Sequence, residues 1–86
     1  MYSQLLVSRE ALTAVEVAFQ YGKAPGTAEM RAIESVRDVY GIRRIVFNES
    51  ERTLRVEYDA TRLTEDSVAA LLRQAGIDVT EKLRLA

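Results

Sequence analysis

The residues that most often carry chemistry are missing from this chain: it has no cysteine and no histidine. That removes the usual soft-metal ligands, the usual nucleophile and the usual general base. The five serines have no histidine to activate them, and no lysine stands at a nucleophile's spacing from any of them, so catalysis is not expected. The best candidate for a site is a loop, Gly22, Lys23, Ala24, Pro25, Gly26, Thr27 and Ala28. Backbone N–H groups at the start of a helix, with Lys23 beside them, can hold an anion. The order and spacing of its glycines and lysine are not those of a phosphate loop.

Two other residue classes can bind something. Carboxylates occur in pairs at Glu49 and Glu51, Glu57 and Asp59, and Glu65 and Asp66, but no pair has the ligand count or glycine placement of a calcium loop. A solvated surface is the simpler reading. Arginine makes up ten of the twelve basic residues, and Arg43, Arg44, Arg52 and Arg55 fall around one hairpin. An RNA-binding sheet of this size stacks bases on exposed aromatics, whereas strand alternation puts Phe47 and Tyr58 inward. Nucleic acid is therefore the weaker partner class.

Composition agrees. Twelve basic and thirteen acidic residues leave a formal charge of −1, which is no electrostatic footprint for nucleic acid. The longest apolar run, Val68 to Leu72, is far too short to span a membrane, and Met1 to Val7 lacks the form of a signal peptide. The expectation is a cytoplasmic protein with no cofactor. Its 86 residues make a single domain that buries about 60–65% of its unfolded surface, with no disulfide to help.

The elements that position these residues follow from periodicity. Thr13 to Tyr21 alternates, which predicts a strand with Val15, Val17, Phe19 and Tyr21 inward. The loop from Gly22 follows, with Thr27 as the expected helix cap. Ala28 to Tyr40 reads as a helix burying Ala32, Ile33, Val36, Val39 and Tyr40, stopped by Gly41. Ile42, Ile45 and Phe47 face inward on the next strand; the irregular spacing makes Arg43 its first residue or a bulge. After a polar hairpin from Asn48 to Arg52, the third strand buries Leu54, Val56 and Tyr58. Thr64 caps a second helix burying Val68, Leu71, Leu72 and Ala75, and Gly76 stops it. Ile77 and Val79 begin a last strand, which Leu83 and Leu85 can continue. Strand, helix, strand, strand, helix, strand, with right-handed crossovers, gives an α+β ferredoxin-like sandwich: a four-stranded antiparallel sheet with both helices on one face. Its open face carries Glu16, Ala18, Gln20, Arg44, Val46, Arg55, Glu57, Asp78 and Thr80.

From Gly22 onward the chain resembles the heavy-metal-associated domain of copper chaperones and metal-pumping ATPases. The matching residues are Val36, Gly41-Ile42, Val56-Glu57-Tyr58-Asp59, Leu63-Thr64, Leu71-Leu72 and Ala75-Gly76-Ile77. The resemblance implies the same fold, and a partner-docking face at the loop before helix 1. It does not carry the metal site over. In the family that loop reads glycine-methionine-threonine-cysteine-x-x-cysteine; here only Gly22 agrees, and Pro25 and Ala28 stand at the two cysteine positions. Neither side chain has a donor for a soft cation. A second departure is that the family's inward residues fall on Ala18 and Gln20, which a longer loop or a bulge in strand 1 would accommodate.

The resulting expectation is a degenerate heavy-metal-associated-like domain over residues 13–86, preceded by an extension or extra strand at 1–12. It would act as a protein-interaction or adaptor module through the Gly22–Ala28 loop or a sheet edge. Tyr2, Leu5, Leu6, Val7 and Leu83-Arg84-Leu85 can pair with a second copy or fold back on their own sheet. The rival expectation is metal handling with ligands supplied by a partner.

Overall fold

A computed structural model describes residues 14–83. The extension at 1–12 and the tail at Arg84 and Leu85 lie outside the described residues. Six elements follow one another: β1 (Ala14–Tyr21), α1 (Thr27–Arg37), β2 (Ile42–Asn48), β3 (Thr53–Asp59), α2 (Glu65–Gln74) and β4 (Val79–Leu83). The strands form one antiparallel sheet in the order β2-β3-β1-β4, the ferredoxin-like βαββαβ arrangement expected from the sequence.

The core lies between the sheet and the helices. Val17, Phe19, Leu54, Val56 and Tyr58 of the sheet meet Ile33, Val36, Val68 and Leu72 of the helices. Leu54, Ile33 and Leu72 are fully buried, and each such aliphatic side chain contributes about 1.5–3 kcal/mol. β1 and β3 pair without a break from Ala14↔Asp59 to Gln20↔Thr53. Two irregularities lie elsewhere. Arg43 is the extra residue where Ile42 pairs with Tyr58 and Arg44 with Glu57, so it is a bulge in β2. Thr80 is the extra residue where Gln20 pairs with Glu81 and Tyr21 with Val79. The register shift at this end of β1 is therefore accommodated by β4.

Four local expectations are corrected. Val15 is 41% exposed rather than buried, although the unbroken pairing of β1 with β3 keeps it on the same face as Val17 and Phe19. Ala18, expected on the open face, is buried between Arg55 on β3 and Leu83 on β4 in register, where its methyl group is shielded by longer neighbours. α1 ends at Arg37, not Tyr40. The chain tightens there, with Asp38 donating its N–H to the Ser35 carbonyl and Val39 to that of Val36. Tyr40 is consequently 71% exposed instead of buried. Gly41, at φ +103°, makes the turn into β2. Lastly, the cap of α1 is Gly26, one residue before Thr27.

Candidate functional site

The Gly22–Ala28 loop joins the C-terminal end of β1 to the N-terminus of α1. Distant residues fasten it from both sides. The Gly22 N–H donates to the Asp78 carbonyl at 3.0 Å, and the Lys23 N–H donates to Asp78 Oδ2 at 3.1 Å. Arg52 Nη1 donates to the Gly22 carbonyl at 2.6 Å. At the helix end, the Gly26 N–H donates to Glu29 Oε1 at 2.6 Å. This is half of a capping box, with Glu29 at the third helical position reaching back.

These bonds bear directly on the anion reading. Two N–H groups of the loop already meet carboxylates of the chain itself, and the negative charge of Glu29 suits the positive end of α1. An incoming anion would have to displace Asp78 or Glu29 and face their charges. The sequence singled out Gly22, Lys23, Ala24, Pro25, Gly26, Thr27 and Ala28, and the structure keeps them together as one loop and first helical turn. It adds residues that were not picked out. Glu29 follows Gly26 at the capping-box spacing, a signal that was available; Asp78 and Arg52 are remote in sequence and gave none.

Beside the loop is a cleft of about 280 Å³ lined by Tyr21, Ala24, Pro25, Met30, Phe47, Glu49 and Arg52. Tyr21 and Phe47, both in its lining, form an edge-to-face pair with centroids 5.9 Å apart. Met30 is 37% exposed, so its thioether offers an adaptable apolar contact. The cleft thus pairs an apolar patch with the charged groups of Glu49 and Arg52.

The other sequence candidates are dispersed. Arg52 is at the loop, Arg55 pairs with Glu16 at 3.3 Å on the open face, and Arg43 is at the far end of β2. Glu65 pairs with Lys82 at 2.6 Å. Asp59 accepts from the Thr61 N–H and hydroxyl at 2.9 and 2.7 Å. Among the described residues, no three carboxylate, cysteine or histidine side chains come together as a metal cluster. No helix among them is long and apolar enough to cross a membrane.

No protein-family profile matches the chain, and no curated protein does. Two solved structures share its fold. One is the yeast copper transporter domain Ccc2a, determined in apo and Cu(I)-loaded states. It is 24% identical, with a TM-score of 0.64, over 83% of this chain and 97% of that one. The other is apo-CopP from Helicobacter pylori, 25% identical with a TM-score of 0.65, over 77% of this chain and 100% of that one. The fold is thus that of the heavy-metal-associated domains, as the resemblance in sequence implied.

Proposed function

We propose that this chain is a protein-docking module on a copper-domain fold, without a metal site of its own. The observation that carries this reading is the β1–α1 loop. Where the family's pattern has cysteines it has Pro25 and Ala28, and a cleft of mixed character opens beside them, with Ala24, Pro25, Met30 and Phe47 in its lining together with Glu49 and Arg52. The loop is bolted in one shape by Asp78, Arg52 and Glu29, so a partner meets a preorganised surface and little ordering entropy is lost on binding.

The test is a titration of the protein with copper(I) and zinc(II) against a competing chelator. The expected result is no competition at micromolar metal. Stoichiometric competition overturns the reading and assigns a site to carboxylates, Met30 or a dimer interface.

A second reading is favoured by the likeness to two copper-protein folds and by the accessible Met30 thioether beside the loop. Here the chain completes a copper site whose thiolates come from a partner. It predicts that copper(I) is retained only when a cysteine-bearing peptide is also present, and that Met30→Leu weakens the retention. Docking alone predicts that the peptide makes no difference.

A further inference from the structure

The cleft beside the β1–α1 loop carries one charge of each sign. Glu49 and Arg52 both line it, at the first and last positions of the β2–β3 turn, where the Arg52 N–H donates to the Glu49 carbonyl at 3.4 Å. Their side chains do not pair with each other. Arg52 Nη1 is held by the Gly22 carbonyl at 2.6 Å, a contact that uses one of its five donors and leaves its charge uncompensated. Among the described residues the Glu49 carboxylate has neither a hydrogen bond nor an ion pair.

The turn holds both groups in place. Asn48 Oδ1 accepts the Ser50 hydroxyl at 2.8 Å and the Glu51 N–H at 3.3 Å. Arg52 is at φ +56°, the one non-glycine residue with a positive φ among those described. Glycine or asparagine takes that conformation at less cost, so a long cationic side chain kept there points to a use for it. A third polar group opens into the same space. Tyr21 is 2% exposed and lines this cleft; its hydroxyl has no hydrogen-bond partner among the described residues and is not sealed from solvent. Met30, Pro25 and Phe47 supply the apolar part of the lining.

We propose that a second copy of this chain docks on this cleft about a two-fold axis, with Glu49 of each copy pairing Arg52 of the other and the Met30 side chains packed beside the two pairs. The inference rests on the reading of this face as a docking surface, and names its occupant. Charge complementarity selects that occupant. A patch of one sign selects a partner of the opposite sign. A patch with one carboxylate and one guanidinium is complementary to itself once rotated, and two-fold interfaces are built from such patches. Glu49 and Arg52 are three positions apart in one turn, so two turns approaching head to tail meet both counter-charges at once. A formal charge of −1 per copy opposes the approach little. A stable dimer buries about 800 Å² on each partner. A cleft of about 280 Å³ with its rim offers less, so the association is weak and set by concentration.

The test is sedimentation velocity in the presence of a metal chelator, from about 10 micromolar to about 1 millimolar protein. The chelator removes any metal bridge between copies. The expected result is a reversible dimer, weakened roughly tenfold or more by Glu49→Arg and by Arg52→Glu, because each sets like charges opposite each other. Glu51→Gln, in the same turn but outside the cleft lining, should leave it unchanged. An equimolar mixture of Glu49→Arg and Arg52→Glu proteins restores opposite signs at both pairs and should recover most of the wild-type affinity. On the wild-type protein, backbone NMR shifts that change with concentration should centre on residues 25–30 and 47–52, which tests the surface without any variant.

A wild type that stays monomeric at about 1 millimolar, shifts centred elsewhere, or a mixture of the two folded variants that stays monomeric overturns the proposal. A monomer that also fails to compete for metal leaves the docking face to a different protein. A dimer in chelator combined with stoichiometric metal competition overturns the metal-free reading and leaves this interface standing.

Discussion

The Asp78 carboxylate accepts the backbone N–H of Lys23 at 3.1 Å, tying the β1–α1 loop to a residue 55 positions later. The Asp78 carbonyl takes the neighbouring Gly22 N–H, so the segment leading into β4 closes one side of the loop with both a side chain and its backbone. A Cβ built on Gly22 would approach Asp78 Oδ2 to 2.7 Å, which explains the absence of a side chain at that position.

Asp78→Ala is expected to lower stability by about 1 kcal/mol and to speed hydrogen exchange at Lys23. In a domain of this size that corresponds to roughly 4–8 °C in Tm. Gly22→Ala should cost a similar amount by pushing the same carboxylate aside. Made together, the two should cost less than their sum, because Asp78→Ala removes the oxygen that the new methyl group meets. Thermal melts of the four proteins in the cycle decide this; simple additivity would show that the bond does not hold the loop.

Glu29 does the corresponding work at the helix start. Glu29→Ala should cost about 1 kcal/mol by leaving the Gly26 N–H to water, while Glu29→Gln keeps an acceptor and costs less. The stem of the same side chain packs against Gly76, where an added Cβ would meet Glu29 Cγ at 3.0 Å. Gly76 also has φ +95°. Gly76→Ala therefore carries two penalties, a contact and a left-handed backbone worth about 1–2 kcal/mol. In a Glu29→Ala background only the second should remain. Chemical denaturation of the single and double variants separates them.

Much of the fold was legible because its signals are local. Alternation placed Val17, Phe19, Leu54 and Val56, the 3.6-residue period placed Ile33, Val36, Val68 and Leu72, and broken spacing marked Arg43 as a candidate bulge. The end of α1 misled because Val39 and Tyr40 continue its apolar stripe; the backbone leaves the helix at Asp38 and turns Tyr40 out to meet Arg62. Val15 misled because alternation says which face a residue is on, not how fully that position is covered. At the site, the loop was recognisable from its glycines and proline and from the resemblance. Its fastenings were not, since Asp78 and Arg52 reach it only after the sheet has formed.

Tyr58 supplies a pH signature. Burial pushes its hydroxyl above the ordinary value of 10.0, the Glu65 carboxylate adds to the shift, and the Lys82 ammonium opposes it. A raised folded-state value means that the folded protein holds the phenol proton more tightly than the unfolded chain does. The resulting stability is fully present below pH 10, about the unfolded value, and is lost as pH rises through the folded one. Tyr58→Phe should therefore change stability little near neutrality and flatten its decline at alkaline pH. Lys82→Met should raise the Tyr58 value further by removing the opposing charge. Phenolate absorbance, read as the difference between wild type and Tyr58→Phe, would expose an error if Tyr58 titrated with the ordinary tyrosines.

The sharpest test of the loop restores what the family's pattern has and this chain lacks. Pro25 and Ala28 stand at the two cysteine positions, on either side of the Gly26 that begins α1. Pro25→Cys with Ala28→Cys would put two thiolates at the start of a helix, where the helix dipole lowers thiol pKa and soft cations are favoured. Under reducing conditions the double variant is expected to compete for copper(I) with a chelator that the wild type leaves untouched. Each single variant should compete far less well. Success would show that the fold still presents the loop in a metal-binding shape and that only the side chains have changed. Failure in a folded double variant would place the difference in the backbone, held by Asp78 and Glu29 in a shape that does not bring positions 25 and 28 to one ion. Releasing those fastenings with Asp78→Ala in the cysteine background should then recover binding.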